Sequence, residues 1–489
     1  MDQTKKQVTF PDHKLIIAVD PGDNLLGIIQ RAGLSINADC GGVRQCGKCL
    51  VEVNGHRKLA CTCHVVEDAE VVICNTSSDE DYDILLDSSL ITDAPAVTQS
   101  STKLGIALDI GTTTVVGKLL ELGSGNALAS FALLNAQMSY GADVISRINC
   151  CLDDASELSA LITAQIDGAI ATMLADAGIA GSRVERVVIA GNTTMTYILL
   201  NLPCRSLGFA PFVPAYTYER THSYEAIFHT KTLDATCLIL PFISAYIGGD
   251  LSAGLCALSA EDDFILMDMG TNGELIFKRG AAMICTASAA GPAFEGGCIE
   301  CGSGSMRGAI SKVTHTSDGF DLHTIGAAPP ESICGSGLLD LIAELVREGT
   351  IDKSGLLDLT IETRRVFLAQ EVYLSQMDIR QFQLAKSAVR TGLEILMVEM
   401  GHLQPSKIFL AGGFGQNLDA HSAGAVDLLP ASLVERTYSI GNSSLLGAVK
   451  VCLNPALLDS IEQLALDATE INLAKHPLFD DQFLANMAF

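Results

Sequence analysis

Polar and apolar residues alternate over Gln7–Phe10, and a second apolar stretch, Lys14–Val19, follows after a short turn; both predict strands. The spacing then changes. Over Asn24–Ala32, Leu25, Leu26, Ile28 and Ile29 supply one apolar helical face, behind Asp20-Pro21-Gly22-Asp23, a turn that can cap the helix. Further on, Cys49–Val53 predicts a strand, Asn54-Gly55 a hairpin turn and Glu70–Ile73 a closing strand. Two hairpin strands, one helix and further strands suggest an α+β unit of β-grasp type over residues 1–76.

From Ser77 to Lys103 the periodicity disappears. Ser-Ser-Asp-Glu-Asp-Tyr-Asp and then Ala-Pro-Ala-Val-Thr-Gln-Ser-Ser-Thr have linker composition, with room for one helical turn around Ile84–Leu90. From Leu104 onward strands alternate with helices, the α/β pattern. Gly105–Leu122 predicts a hairpin with a tight turn at Gly111, and Ser156–Ala177 and Gln381–Met400 predict helices. Val187–Ala190, Phe264–Met267 and Lys407–Leu410 predict short buried strands, each ending in a glycine-containing turn. Leu108-Asp-Ile-Gly-Thr and Met267-Asp-Met-Gly-Thr share one pattern 159 residues apart, a distance expected between duplicated subdomains, here about 104–260 and 261–489.

Charge narrows the field. The net charge of −26 is carried almost entirely beyond residue 76, and such acidity argues against nucleic acid as a partner. No export signal follows Met1, and no uninterrupted span of about 20 apolar residues predicts a membrane segment. The expectation is a cytoplasmic protein. Its 16 cysteines are then reduced thiols or metal ligands rather than disulfides. Cys204, Cys237 and Cys452, set among apolar residues, are expected in the core.

The densest chemistry lies in Cys40-Gly-Gly-Val-Arg-Gln-Cys46-Gly-Lys-Cys49, with spacing C-x5-C-x2-C, and Cys61 follows after eleven residues. Four thiolates suit a [2Fe–2S] cluster. Gly41, Gly42 and Gly47 let the backbone curl around it and aim N–H groups at its sulfides. A zinc site built on Cys46, Cys49, Cys61 and Cys63 would leave Cys40 and the glycines unexplained. The segment resembles plant-type ferredoxins. In that resemblance the Leu-Ala-Cys pattern names Cys61 as fourth ligand, with Cys63 and Cys74 within reach as alternatives. Cys298-x2-Cys301 has no second pair near it and is expected to be a core or loop feature.

Asp109-Ile-Gly111-Thr112-Thr113-Thr114 at a hairpin turn has the composition of a phosphate loop, with an aspartate able to hold Mg²⁺ through water. Asp268-Met-Gly270-Thr271-Asn272-Gly273 repeats it. In Phe409-Leu-Ala-Gly412-Gly413-Phe414-Gly415, small residues after a buried strand allow close approach of an adenosine. No GxxxxGK[ST] is present, which excludes a P-loop enzyme. The three motifs, in this order, resemble the superfamily of actin, sugar kinases and heat-shock chaperones. That resemblance implies two RNase H-like (actin-like, ASKHA) subdomains with ATP and Mg²⁺ between them.

Further segments narrow the resemblance: Asn135–Ile148 with Gly141, Asp143 and Arg147; Ala190-Gly-Asn192-Thr-Thr-Met195; Ala289–Gly297 with Glu295; Ile333-Cys-Gly335-Ser-Gly337; and Asp378-Ile-Arg380 ahead of Leu384-Ala-Lys386. Together with the cysteine motif they resemble the reductive activators of corrinoid proteins, over nearly the whole chain. The resemblance implies that ATP hydrolysis drives an electron from the cluster to a Co(II) corrinoid held by a partner protein, giving Co(I) for methyl transfer. It also implies a low-potential electron donor and is compatible with a homodimer. Asp109 and Asp268 are the expected catalytic carboxylates, with Asp143, Asp250 and Glu295 as weaker candidates. Longer family members carry an extra domain where this chain has only residues 77–103, so their docking mode need not transfer. The alternatives are an ATP-driven electron activator of another low-potential enzyme and a redox- or nucleotide-sensing scaffold.

Overall fold

The structure, a computed structural model, describes residues 5–38, 41, 42, 44, 48–74, 103–216, 219–270, 272–317, 319–361 and 363–489. The helical turn predicted around Ile84–Leu90 lies outside them.

The N-terminal strands Lys6–Phe10 and Leu15–Val19 form an antiparallel hairpin, and Lys6–Phe10 pairs in parallel with Ala69–Ile73. Leu50–Val53 joins the other side of Ala69–Ile73 and turns through Asn54-Gly55 into His56–Leu59. Both turn residues adopt positive φ, as a tight hairpin requires. The helix Leu25–Arg31 buries Leu25, Leu26, Ile28 and Ile29 on this five-stranded sheet. Its cap differs from the sequence expectation. Asn24, not the preceding aspartates, accepts from the Leu26 and Gly27 N–H groups, because its short amide reaches back over the first turn.

Two six-stranded sheets follow, with one topology used twice. In the first, Leu104–Ile110, Thr114–Glu121 and Ala127–Leu134 form an antiparallel meander, and Val184–Gly191 and Thr236–Ile239 add in parallel beyond Leu104–Ile110. In the second, Asp263–Met269, Gly273–Arg279 and Ala282–Ser288 repeat the meander, with Lys407–Ala411 and Thr437–Gly441 as the parallel strands. The helix Ser156–Asp176 has the length and mean hydropathy of a membrane span, but Asp167 interrupts its apolar run. It packs Leu158, Ile162, Ile166 and Ile170 into the core on one face of the first sheet. The helix predicted from Gln381 begins earlier, at Gln376, because Ser375 and Asp378 close a capping box.

The alternation along the two leading strands explains how the halves join. Leu104, Ile106, Leu108 and Ile110 face one core, while the other side of that strand carries Gly105, Ala107 and Asp109. This small-residue side lets the helix Ser443–Leu453 settle directly on the sheet. A Cβ on Gly105 would lie 2.4 Å from Cys452 Sγ. Burying Leu445 and Val451 there contributes about 2 kcal/mol each. In the second sheet Phe264 and Leu266 share a core with the helix Gly249–Ala257, and Asp268 follows them on the same side. The two helices cross closely, with the Gly447 Cα against the Ala253 backbone, where a Cβ would stand 2.0 Å from the carbonyl oxygen. Each aspartate therefore sits at the end of a strand, under the first turn of a helix.

Candidate nucleotide site and cysteine loop

The two sheets face a cleft of about 840 Å³, lined by both hairpin loops. Asp109 and Asp268 both reach it, but they are held differently. Asp109 accepts from Asn442 Nδ2 at 2.8 Å and from Ser444 Oγ at 2.7 Å, both on the first turn of Ser443–Leu453. Among the described residues no hydrogen-bond donor reaches the Asp268 carboxylate. Asp250, in the first turn of Gly249–Ala257, accepts from the Leu251 N–H and lies close enough to Asp268 for the two charges to repel. Glu274, on the strand after the second loop, completes the acidic group.

Burial, more than mutual repulsion, sets the protonation of these carboxyls. Burial and then Asp109 push Asp268 up to about 7, and burial and then Asp268 push Asp250 up to about 8. Burial raises Asp109 as well, opposed by its two donors, and holds Glu274 well above the ordinary value. Unfolded, the aspartates would titrate near 3.8. Between that value and the folded ones the native chain holds protons that the unfolded chain has lost, so stability falls as pH rises. The nucleotide-free protein is expected to lose thermal stability steadily from about pH 4 to about pH 8. Calorimetric melts across that range check this, and Asp250→Asn should flatten the slope.

Around the first loop, the Gly111 N–H bonds the Thr114 carbonyl at 2.9 Å and closes the turn. Asn192 caps the helix Thr193–Leu199 and donates to Thr112 Oγ1 at 3.0 Å. Arg147, fully buried, donates to the carbonyls of Thr112 and Gly141. Thr194 Oγ1 lines the cleft, buried and without a hydrogen-bond partner among the described residues, which leaves it available to a ligand oxygen.

Of the residues expected at a nucleotide site, Gly111, Thr112, Thr113, Thr114, Gly270, Asn272, Gly412, Gly413 and Phe414 line the cleft. Thr271 lies outside the described residues. Gly412 has φ +82° and would place a Cβ 2.6 Å from Asp268 Oδ1, whereas Gly413 faces open space. Gly415 packs on Leu410 and is not part of the lining. Phe414 stacks on Phe294 at 4.6 Å between ring centroids, so its ring supports the wall. Of the weaker candidates, Asp143 caps the helix Val144–Cys150 through the Ser146 N–H, while Asp250 and Glu295 belong to the cleft.

Sequence reasoning missed Glu274, Asn442 and Ser444. A signal for the last two existed: Gly191-Asn192-Thr-Thr and Gly441-Asn442-Ser-Ser repeat one pattern, each at the end of a parallel strand and each opening a helix.

In the N-terminal domain, Cys40 and Cys46 lie outside the described residues. Cys49 and Cys61 are buried, Cys63 is half-buried and Cys74 exposed. Gly41 and Gly42 both adopt positive φ, and a Cβ on Gly42 would lie 3.9 Å from Cys61 Cβ. The loop thus curls past Cys61. Cys204, Cys237 and Cys452 are core residues, as expected. Cys298 is exposed, and the Cys301 thiol lies 3.5 Å from the Glu371 carbonyl. Among the described residues no three His, Cys, Asp or Glu side chains form a metal-binding group.

Two sheets of one topology, each with a hairpin loop turned to a common cleft and joined by crossed helices, define an actin-like (ASKHA) fold. Residues 262–489 match the family described as the C-terminal domain of RACo, the ASKHA domain, and residues 104–262 match the RACo middle region. The chain belongs to this family of reductive activators of corrinoid proteins. The family's middle region is therefore the first six-stranded sheet. The chain is similar to the corrinoid activation enzyme RamQ of Eubacterium limosum, at 28% identity over 99% of both chains. It is also similar to a [Co(II) methylated amine-specific corrinoid protein] reductase of Methanosarcina barkeri, at 23% identity over 79% of this chain and 77% of that one. A solved reductive activator for corrinoid, iron-sulfur protein superposes with a TM-score of 0.70 at 25% identity, over 99% of this chain and 98% of that one.

Proposed function

We propose that this protein is an ATP-dependent reductive activator: it delivers one electron to the inactive Co(II) corrinoid of a partner protein and so regenerates Co(I) for methyl transfer. The observation that carries this reading is the union, in one chain of the RACo family, of a glycine-lined cysteine loop and a nucleotide cleft that touch each other.

Cys40, Cys46, Cys49 and Cys61 would hold a [2Fe–2S] cluster, and the positive-φ glycines beside buried Cys61 suit such a cradle. When bound, the cluster supplies a one-electron carrier. The cleft would take ATP with Mg²⁺. Thr112–Thr114, Gly270 to Asn272 and the Thr194 hydroxyl, which has no hydrogen-bond partner among the described residues, would meet the phosphates, and Gly412 and Gly413 the adenosine side. Asp268, with no donor on it among the described residues, is suited to orient a metal-bound water. Asp109, tied to Asn442 and Ser444, joins the two halves at the same place.

The chemical need for ATP is energetic. Each shortfall of about 59 mV costs a one-electron transfer tenfold in its equilibrium, and a Co(II)/Co(I) couple lies very low. Nucleotide-driven closure about the crossed helices would select the conformation that receives the corrinoid partner, and hydrolysis would reset it. Reduced thiols and the absence of any need for nucleic acid suit a cytoplasmic setting with a low-potential electron donor.

The test is anaerobic. With a Co(II) corrinoid protein, a reductant and ATP, the absorption of Co(I) should appear, and it should not appear without ATP. Reduction independent of ATP, or none with any corrinoid protein, would overturn the proposal.

A further inference from the structure

Lys48 sits inside the cysteine motif, immediately before Cys49, yet it lines the nucleotide cleft, as does Asn37 from the same domain. The N-terminal domain thus reaches the site of the other domain, through a contact with one particular segment. Gln30 Nε2, on the helix Leu25–Arg31, donates to the Ser139 carbonyl. Gly41 packs so tightly on Tyr140 that a Cβ there would be 2.8 Å from the Tyr140 carbonyl oxygen.

The segment Asn135–Arg147 that receives these contacts also holds the first phosphate loop. The Asn135 N–H bonds the Thr113 carbonyl at 2.8 Å, and Asn135 Nδ2 bonds the Gly111 carbonyl at 2.8 Å. Arg147 reaches the Thr112 carbonyl from the other end. Between them, Gln137 and Arg147 are fully buried, and Tyr140 Oη donates to Glu157 at 2.8 Å. The segment is a packed strut with the phosphate loop on one side and the cysteine loop on the other.

We propose that the cysteine loop is a working part of the nucleotide site: Lys48 supplies a cation to a polyphosphate in the cleft, and the strut Asn135–Arg147 couples the first phosphate loop to docking of the N-terminal domain. A nucleoside triphosphate therefore holds that domain down, and by reciprocity the docked domain tightens nucleotide binding. The cleft also presents the carboxyl groups of Asp109, Asp250, Asp268, Glu274 and Glu295, so a cation brought by the docked domain offsets part of the charge that a triphosphate must meet. The inference rests on the cleft being an ATP site. Its specific content is that occupancy of this site is read by the electron-carrying domain.

The experiment uses the full-length protein, purified anaerobically, with Mg²⁺ and a non-hydrolysable ATP analogue. Calorimetry gives the Kd, and hydrogen exchange is followed over residues 25–38 and 137–147. The analogue should slow exchange in both stretches. Lys48→Ala and, independently, Gln30→Ala should each weaken analogue binding by about tenfold and remove the protection of 25–38, and Lys48→Arg should restore both. Gln30→Ala, away from the cysteines, serves even where a change at Lys48 disturbs the cluster, which the visible absorption reports. Binding of equal strength in wild type and both alanine variants, with no protection of 25–38, overturns the coupling alone. Failure of the wild type to bind the analogue overturns the ATP-site reading and this inference with it.

Discussion

Asp268→Asn is expected to lower the rate of ATP hydrolysis by about 100-fold or more while the protein keeps its visible cluster absorption and its affinity for nucleotide. The expectation follows from how differently the two strand-end aspartates are held. Asp109 is engaged by Asn442 and Ser444, so its carboxylate joins the halves of the ATPase. Asp268 meets no donor among the described residues and shares the cleft with Asp250 and Asp109. A divalent ion and its water would relieve that repulsion and hold Asp268 ionised. The amide keeps the shape and removes the charge, so it abolishes water orientation without opening a cavity. Binding should hold or even tighten, because one negative charge leaves a site that must take a triphosphate. Asp109→Asn should behave otherwise, weakening affinity and turnover together, since an amide cannot accept from both partners through charged oxygens. Steady-state ATPase rates beside calorimetric affinities separate the two patterns. An unchanged hydrolysis rate in Asp268→Asn would remove its assignment.

The second large effect is expected at Cys61. Cys61→Ser should prevent a stable [2Fe–2S] cluster from forming, erase the EPR signal of the reduced protein and stop Co(I) formation, whereas Cys63→Ser and Cys74→Ser should retain all three. Cys61 is buried in the short turn Ala60–Thr62, its carbonyl accepts from Asn24 Nδ2 at 3.0 Å, and the Gly42 backbone passes beside it. The cap of the helix Leu25–Arg31 therefore also fixes the turn that carries the thiol. Cys63 instead gives its carbonyl to the Leu25 N–H, and the exposed Cys74 thiol lies 3.7 Å from the Val72 carbonyl. At saturating nucleotide, ATP hydrolysis should survive in Cys61→Ser, because the cleft carboxylates belong to the other domain. Iron and sulfide content with EPR are the measurements. A cluster kept in Cys61→Ser and lost in one of the other two would transfer the ligand role.

The phosphate loops and the cysteine motif were legible because each needs particular residues at short spacing: small residues where backbone must approach a ligand, and thiols at fixed intervals. The duplication was legible from Asp109 and Asp268, one strand end repeated. Three site residues escaped for a shared reason. Asn442 and Ser444 act on a carboxylate 333 and 335 residues away in sequence, and nothing local to either announces that partner. Glu274 looks like any strand glutamate until the second loop folds over it. By sequence Asp143 suits either a site or a structural role, and the fold engages it with the Ser146 N–H and hydroxyl at the start of Val144–Cys150. Gly415 was assigned with its neighbours, yet the turn after Ala411 directs it onto Leu410 instead.

By itself, the sequence determined many of the element types, the repeated strand-end motif and the spacing of the candidate phosphate-loop and cysteine motifs, since hydrophobic period, turn residues and ligand spacing act over a few residues. Only the tertiary structure decided which carboxylate is tied and which is open, because that depends on the small-residue side of Leu104–Ile110 admitting the helix Ser443–Leu453. Only it brought the cysteine loop to the nucleotide cleft, with Lys48 at the lining and Gly41 against Tyr140. Contacts between surfaces far apart in the chain are fixed by packing, and packing leaves no period in the sequence to read.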